Sequence, residues 1–470
     1  MEAVRMNIPS IAALMSQPHA DTHVVAISAT ETLDWAQFRT DVSVLTQALQ
    51  HSEHQRWALC FEDSYFFAVA FLAAAHAGRH LILPGNHQPA ALAELAPHYD
   101  AILHDDIVNI ADDAMADCLA SGLGQRTVTE HANTIQSTKN LDSFTPLTLS
   151  DVPLTLFTSG SNGTPKAIEK TLALLDAELA QLQAIWGEQL SNATIASTVS
   201  HQHIYGLLFR ILWPLCAGRA FERHDLVYPE QVMTHANMDT VLISSPALLK
   251  RLAEESPTQP YRAIFSSGGP LSLAAAQQSH LLFEQLPFEV FGSTETGGIG
   301  YRQQIIENTP WQLFPALSMK LNAEGCLRVL SPFIDTEQWY QTSDQCKHLS
   351  ESTFMLKGRA DRIVKIEEKR ISLTDVEHRL CQLPWIEEAA VLPLEETQRL
   401  SLAAVITLTP SGHERIAAMG KGKFWLMLRQ SLRRWIEPVG VPRRYRTVDE
   451  IPLNSQGKRL VRDLEQLFAD

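Results

Sequence analysis

Residues 57–84 read WALCFEDSYFFAVAFLAAAHAGRHLILP and predict a strand, a helix and a second strand in close succession. WALCF and HLILP are short runs of mostly large apolar residues, which favours buried strands. The apolar segment between them is typical of a helix that ends at Gly78, because glycine is common just past helix C-termini. The stretch therefore predicts one strand–helix–strand unit.

The same alternation returns between residues 241 and 296. VLIS at 241–244 is rich in strand-forming residues, and Ser245 and Pro246 stand where a helix cap and first helical residue belong, before ALLKRLAEE. RAIFSS, LAAAQQSHLLFEQL and FEVFGSTET then predict strand, helix and strand. Repeated units of this kind indicate an α/β domain with a largely parallel sheet. Ligands of such sheets bind on the loops that follow the strands, here after Phe157, Phe265 and Phe291.

The composition limits the classes of protein to which the chain can belong. Its 470 residues are 45% hydrophobic and carry a formal charge of −15, which disfavours a generic nucleic-acid binder. The six cysteines lie far apart and form no C-x-x-C pair, so neither a zinc knuckle nor a disulfide framework is indicated. The first residues lack a signal-peptide pattern, and the longest apolar run, FFAVAFLAAA, is too short for a membrane span. We therefore expect a cytoplasmic protein.

The charge changes sign along the chain. Residues 358–470 contain 19 Lys and Arg against 16 Asp and Glu, which is a net charge of +3 and leaves −18 for residues 1–357. This shift predicts a domain boundary near residues 357–362.

A loop suited to phosphate follows the extended run LTLF. Residues 158–166 read TSGSNGTPK, in which two glycines allow tight turns, hydroxyl and amide groups donate hydrogen bonds, and Lys166 adds a positive charge. The spacing differs from that of a Walker A motif. AIEKT after the loop is typical of a strand, and Leu175, Leu179, Leu182 and Trp186 mark one face of a later helix. The alternative is a surface loop that is simply rich in Ser, Thr and Gly.

Further motifs follow this loop in a fixed order. They are HIYG (203–206), SSGGPLS (266–272), FGSTET (291–296), WYQTSD (339–344), KGRADRIVKIEEKRISLTDVE (357–377) and PLNSQGK (452–458). On these motifs the chain resembles the adenylate-forming superfamily of acyl- and aryl-CoA synthetases, nonribosomal-peptide adenylation domains and luciferases. The matches extend from Phe157 to Lys458, and the segment before them fits through its strand–helix–strand pattern.

The resemblance implies a two-domain α/β architecture. A large N-terminal AMP-binding domain (1–357) would contain βαβ subdomains and a small β-barrel-like part. A small, mobile α+β domain (358–470) would form a C-terminal lid after a hinge near Asp361.

The resemblance also implies roles for individual residues. Thr294 would contact the α-phosphate, Glu295 would hold Mg²⁺, His203 would lie beside the acyl pocket, and Lys458 would be the adenylation lysine. The residues implied in ATP binding are Thr158, Ser159, Gly160, Ser161, Asn162, Gly163, Thr164, Lys166, Gly268, Gly269, Phe291, Gly292, Ser293, Asp344 and Arg359.

Each implied role has a simpler alternative. Glu295 can be an acid near a helix N-terminus, Asp344 a turn residue and Lys458 a solvated lysine. His201 and His203 would share a face of a strand, but no Cys, Asp or Glu lies close in sequence, so a metal site there is disfavoured. The Arg-rich stretch (429–446) is either a solvated face or a dock for the phosphates of coenzyme A or of a carrier-protein phosphopantetheine arm.

Three positions depart from the family pattern. Ser343 replaces a glycine, Arg362 replaces a frequent acid, and Glu368 replaces a glycine beside the implied pantetheine tunnel. Glu368 favours an acyl carrier protein over free coenzyme A. HIYG lacks the acid that amino-acid-activating relatives use, which favours a fatty or aromatic acid.

The implied function is an ATP- and Mg²⁺-dependent, AMP-forming ligase that transfers an acyl group to a phosphopantetheine thiol. The alternatives are an enzyme that stops at the acyl-adenylate and a catalytically silent nucleotide- or acyl-binding module.

Overall fold

The computed structural model describes residues 10–85, 87–105, 144–159, 165–252, 255–366, 369–396, 399–436, 438–453 and 459–469. Its described residues form two compact units. The first contains residues 10–159, 165–318 and 330–338, and the second contains 319–329 and 339–469. The predicted boundary near residues 357–362 stays a prediction.

The first unit contains a five-stranded sheet built around the stretch that predicted the fold. Its strands are β3 (Arg56–Cys60), β4 (His80–Leu83), β5 (Ala101–His104), β6 (Pro153–Ser159) and β7 (Pro165–Thr171). The order is β5-β3-β4-β6-β7, and every pair is parallel except β6 with β7. The early helices are α1 (Trp35–His51), α2 (Ser64–His76) and α3 (Pro89–Leu95), with a 3₁₀ turn at Ala96–His98.

Helix α2 confirms the predicted strand–helix–strand unit. Asp63 caps it by accepting a hydrogen bond from the backbone N–H of Tyr65, and Gly78 follows its end at a φ of 68°. Because the helix is apolar all round, it is buried on nearly every side. It packs against β3, β4 and α1.

A second, mainly parallel sheet completes the first unit. Within this unit its strands follow the order β14-β13-β12-β11-β10-β8-β9-β1-β2. The strands are β1 (Val24–Ile27), β2 (Thr32–Asp34), β8 (Thr194–Ser197), β9 (Phe221–Glu222), β10 (Thr240–Ser244), β11 (Ala263–Ser266), β12 (Phe288–Ser293), β13 (Gly297–Arg302) and β14 (Trp311–Leu313). The helices are α4 (Leu172–Trp186), α5 (Ile204–Gly206), a π-helix (Leu207–Leu212), α6 (Trp213–Ala217), α7 (Pro229–His235), α8 (Pro246–Arg251) and α9 (Leu273–Phe283), and a 3₁₀ turn covers Leu149–Asp151.

The local predictions for residues 241–296 agree with these elements. Ser245 caps α8 by accepting from the backbone N–H of Leu248, and Pro246 is its first residue. The helix ends at Arg251, earlier than ALLKRLAEE predicted. Trp186, at the end of α4, packs against the rings of Phe265 and Phe288 and so joins this helix to the second sheet.

The second unit contains both strands and helices. The implied α+β domain of residues 358–470 stays a prediction. Strands β21 and β22 are antiparallel, and β23 pairs parallel with β22. The strands that lie wholly or mainly in this unit are β15 (Ser318–Leu321), β16 (Cys326–Ser331), β17 (Asp335–Ser350), β18 (Thr353–Arg359), β19 (Ile363–Ile366), β20 (Lys369–Ser372), β21 (Ile386–Glu396), β22 (Arg399–Leu408) and β23 (Arg444–Thr447). The helices are α10 (Leu373–Cys381), α11 (Pro410–Met419), α12 (Lys421–Leu432) and α13 (Val461–Gln466), with 3₁₀ turns at Ala360–Arg362 and Pro438–Gly440.

Three arginines of the Arg-rich stretch are engaged within the second unit. Arg444 donates to the carbonyl of Phe468, and Arg446 donates to that of Leu467. Both guanidinium groups also lie over the Phe468 ring. Arg429 donates to the carbonyl of Arg443. These three arginines are therefore held by contacts inside the unit, while the choice between a solvated face and a phosphate dock stays open for the stretch as a whole.

In the part of the chain that the structure describes, no helix combines the length and apolar character of a membrane span.

Candidate active site

The described ends of the predicted phosphate loop lie on the hairpin of β6 and β7. Thr158 and Ser159 end β6, and their register partners on β7 are Lys166 and Pro165. The antiparallel pairing explains why AIEKT is a strand: it returns alongside LTLF. Gly160, Ser161, Asn162, Gly163 and Thr164 lie outside the described residues.

Lys166 forms an ion pair with Glu295. Its Nζ lies 2.8 Å from Glu295 Oε1, although the two residues are 129 positions apart. Burial raises the pKa of the Glu295 carboxyl, but the hydrogen bond and charge of Lys166 outweigh that effect and lower it overall. Glu295 is therefore ionised at neutral pH and presents a hard oxygen ligand next to the loop.

Short hydroxyl contacts shape the turn between β12 and β13. The backbone N–H of Ser293 donates to Thr296 Oγ1 at 3.1 Å, and the N–H of Thr296 donates back to Ser293 Oγ at 3.2 Å. Thr294 is 9% exposed. A Cβ on Gly292 would lie 2.2 Å from the carbonyl oxygen of Gly297, so the close return of the chain requires glycine there.

The glycine-rich turn follows β11. Gly268 has a φ of 89°, which favours glycine, and Ser267 donates to the carbonyl of Val290 on β12 at 2.8 Å. Gly269 has open space around it, with its nearest would-be Cβ contact at 3.9 Å. The Phe291 ring packs beside that of Trp311 at 5.5 Å. Gly268 and Gly269 follow β11, and Phe291 lies within the neighbouring parallel strand β12. The loop predicted after Phe291 therefore begins two residues later, after Ser293.

The two histidines have different surroundings. His201 is buried, and its Nδ1 and Nε2 lie 2.9 Å from Ser64 Oγ and 3.0 Å from the carbonyl oxygen of Phe61. Burial, aided by the charge of Arg210, holds the pKa of His201 well below its usual value. His203 occupies the N-cap position of α5, the short helix that leads into the π-helix. Neither lies on a strand, so the shared strand face that was considered does not exist.

The second unit holds the predicted ribose-binding residues. Asp344 on β17 and Arg359 on β18 are register partners, and Arg359 Nη1 lies 3.4 Å from Asp344 Oδ1. Asp361 lies in the 3₁₀ turn that follows β18. Lys458 and Glu368 lie outside the described residues.

The structure gives Arg362 a local role. Its guanidinium pairs with Glu377 on α10 and donates to the carbonyl of Val391 on β21 at 3.3 Å. Glu377 in turn accepts from the backbone N–H of Val391 at 2.7 Å. This departure from the family pattern therefore ties a helix to a strand.

Sequence reasoning did not single out two buried charged residues near Glu295. Lys170 on β7 is 6% exposed and Glu178 on α4 is 2% exposed. A signal was present, because Lys170 follows Lys166 at the strand period and Glu178 lies between Leu175 and Leu182 on an apolar helix face.

The sequence of the chain matches a known protein family. The family model described as AMP-binding enzyme matches residues 13–321. The chain belongs to this family. The resemblance to the adenylate-forming superfamily is thereby confirmed.

Two relatives are named 4-coumarate–CoA ligase. The protein from Cereibacter sphaeroides is 24% identical over 65% of this chain and 69% of its own length. That from Halorhodospira halophila is 28% identical over 65% of this chain and 74% of its own. The solved structure of ATP-bound MatB from Rhodopseudomonas palustris superposes with a TM-score of 0.76 at 16% identity and covers 99% of both chains. The last comparison confirms the α/β fold, while the barrel-like part and the mobility of the lid stay predictions.

Proposed function

We propose that the chain is an ATP-dependent, AMP-forming ligase that activates a fatty or aromatic carboxylic acid. The acid becomes an acyl-adenylate and then passes to a phosphopantetheine thiol. The observation that supports the proposal is the ion pair of Lys166 and Glu295, which joins the lysine of the TSGSNGTPK motif to the glutamate of the FGSTET motif.

The first half-reaction needs charge neutralisation more than proton transfer. The ionised acid attacks the α-phosphorus of ATP, a bond to the carboxylate oxygen forms, and pyrophosphate leaves. We assign the β- and γ-phosphates to the loop from Thr158 to Lys166, the α-phosphate to Thr294 and the ribose to Asp344 and Arg359. Lys458 would place its positive charge beside the attacking carboxylate.

The residues fit a magnesium ion. Mg²⁺ in nucleotide sites takes one or two carboxylates and completes its shell with phosphate oxygens and water. Glu295 supplies such a carboxylate, and its lowered pKa keeps it ionised. Within the described ranges no three His, Cys, Asp or Glu residues form a metal site. When bound, the ion would neutralise phosphate charge.

In the second half-reaction the thiol attacks the acyl carbonyl, the thioester forms and AMP leaves. We propose that residues 358–470 act as a lid that turns about Asp361 between the two steps. His203 would border the acyl group, and Gly268 and Gly269 would line the adenine and acyl pockets. We further propose a cytoplasmic location.

The names of the relatives favour an aromatic acid and coenzyme A, whereas Glu368 favours a carrier protein as the acceptor. Both acceptors deliver the same thiol arm, so a thioester measurement with each acceptor distinguishes coenzyme A from a carrier protein.

Acid-dependent exchange of labelled pyrophosphate into ATP tests the first half-reaction. We expect exchange with at least one member of a panel of fatty, benzoic and cinnamic acids. Folded protein that exchanges with none of them, while retaining nucleotide binding, would support the silent binding module instead.

Thioester formation tests the second half-reaction. The acid selected by exchange is offered with coenzyme A or with a phosphopantetheinylated carrier protein, and the acyl thioester is quantified by mass spectrometry. Adenylate formation without thioester on either acceptor would support an enzyme that stops at the adenylate.

A further inference from the structure

Two buried charged side chains lie against the turn that carries Thr294 and Glu295. Lys170 and Glu178 have no role in the proposed chemistry, and both belong to the first unit. Neither is needed to complete an apolar core, since an uncharged residue fills the same space without the cost of desolvation. Both side chains form hydrogen bonds to backbone atoms of other segments.

Lys170 connects two separate segments by hydrogen bonds. Its Nζ donates to the carbonyl oxygen of Glu295 at 3.2 Å and to that of Phe333 at 3.0 Å. Both acceptors are backbone atoms, so the lysine fixes the course of the chain rather than another side chain. Burial lowers the pKa of Lys170, and the charges of Glu178 and Glu295 oppose that shift.

Glu178 holds the other side of the same turn. Its Oε1 accepts from the backbone N–H of Gly298 at 2.7 Å. A Cβ on Gly297 would lie 2.5 Å from Glu178 Oε2, so glycine at this position lets the carboxyl group approach the backbone. Lys170 and Glu178 thus contact the backbone at both ends of residues 295–298.

Lys170 and Glu178 contribute differently to the stability of the fold and to the position of the turn. Burial raises the pKa of the Glu178 carboxyl to about 7, against the hydrogen bond from Gly298 and the charge of Lys170. Buried ionisable groups are weak support for stability, because desolvating them costs about as much as their mutual attraction gains. Three hydrogen bonds to backbone atoms of two loops nevertheless restrict those atoms to one arrangement. The pair is therefore better explained by the geometry of the turn than by the free energy of unfolding.

We propose that Lys170 and Glu178 are positioning residues that fix the turn from Thr294 to Gly298, so that Glu295 faces the nucleotide and its magnesium ion. This inference rests on the proposed function. Neither residue contacts the reacting atoms in our assignment.

Hydrogen–deuterium exchange of the nucleotide-free protein tests the structural half of the proposal. In Lys170→Met we expect the backbone amides of residues 294–298 to exchange about tenfold faster, because the donor to the Glu295 carbonyl is gone. Lys170→Arg retains donors and should restore most of the protection. The matched control is Glu188→Gln, a change of an exposed acid ten positions after Glu178, which should leave these amides unchanged.

Magnesium dependence tests the functional half. In pyrophosphate exchange at saturating ATP, we expect Lys170→Met and Glu178→Met, each as a single variant, to raise the half-saturating Mg²⁺ concentration at least about threefold, because each removes a hydrogen bond to the backbone of the turn. The KM for the carboxylic acid should change less than twofold. Unchanged Mg²⁺ dependence, or an equal rise in both constants, would overturn the proposal, because a general loosening of the fold moves both.

The double variant Lys170→Met with Glu178→Met keeps the test decisive if a single variant misfolds. Replacing both charges avoids leaving one of them unpaired in the interior, so this protein should fold even where a single variant does not. Folded double variant with wild-type exchange of residues 294–298 and wild-type Mg²⁺ dependence would also overturn the proposal. An inactive wild-type protein would count against the proposed function instead, while the amide-exchange comparison would still decide this inference.

Discussion

At the scale of single residues, most of the proposed chemistry depends on where a few charges are placed. Lys166 and Glu295 are far apart in sequence and meet because β7 and the turn after β12 approach each other. Their pairing lowers the pKa of the carboxyl group even though burial alone would raise it.

Lys458 provides the first residue-scale prediction. Lys458→Ala should reduce pyrophosphate exchange by on the order of 10²–10³-fold, since one charge that stabilises the transition state is lost. The same variant should still convert a supplied acyl-adenylate to thioester. The exposed Lys347→Met serves as the control and should keep both activities. Equal loss of both half-reactions would show that the role given to Lys458 is wrong.

We expect His76 to contribute to the loss of fold stability at acidic pH. Burial lowers the pKa of His76 to about 4, whereas a histidine in the unfolded chain has a pKa near 6.5. Between these values the unfolded state binds the extra proton, so His76 reduces stability progressively as the pH falls from about 6.5 to about 4.

Thermal unfolding of His76→Phe across that pH range measures this contribution. The variant should lose less stability on acidification than the wild type, and the exposed His280→Phe should behave like the wild type. Parallel pH profiles for His76→Phe and the wild type would contradict the prediction.

At the scale of elements, alanine substitutions at two helical glycines of the second unit should change its stability in opposite directions. A Cβ on Gly412 in α11 would lie 2.2 Å from the carbonyl oxygen of Trp385, whereas one on Gly422 in α12 meets nothing within 4 Å. Gly412→Ala should therefore destabilise this unit by about 1–3 kcal/mol. Gly422→Ala should stabilise it by roughly 0.5–1 kcal/mol, because alanine loses less backbone entropy in a helix.

Amide exchange of residues 410–432, compared among the wild type and the two variants, checks both signs. Faster exchange in Gly422→Ala would contradict the helix-propensity argument, and unchanged exchange in Gly412→Ala would contradict the steric one.

Elements were predictable where their signal is local. The strand–helix–strand unit from Trp57 to Pro84 and the cap of α8 follow from runs and caps that a single segment contains. Lys170 and Glu178 were not predicted, because their burial is decided by the turn near Glu295 and the loop near Phe333, which lie more than a hundred residues away. The motif that identifies Glu295 lies within one segment of the sequence. The side chains that hold Glu295 in place come from distant segments and become neighbours only in the tertiary structure.

At the scale of the whole molecule, the net charge of −15 is the sum of two unlike parts, −18 for residues 1–357 and +3 for residues 358–470. The structure divides the Arg-rich stretch further: Arg433, Arg434 and Arg443 are exposed, whereas Arg429, Arg444 and Arg446 make contacts within their own unit. An acceptor that carries phosphate or carboxylate groups would therefore meet the exposed members.

Charge reversal of two exposed residues tests this docking hypothesis. Arg433→Glu with Arg434→Glu should raise the KM for a carrier protein about tenfold at low salt, with a smaller effect at high salt because exposed charges are screened. Pyrophosphate exchange should stay within twofold of the wild type. An unchanged KM at both salt concentrations would leave these arginines as a plain solvated face.

The arginine contacts with Leu467 and Phe468 have a practical consequence for handling the protein. Phe468 packs with Leu464 against Ala390, Leu392 and Val405. Proteolytic loss of the chain from Phe468 onward would remove that ring and expose the apolar surface beneath it. Preparations clipped before Phe468 should therefore aggregate sooner on storage, so the intact mass is worth checking before any loss of activity is attributed to chemistry.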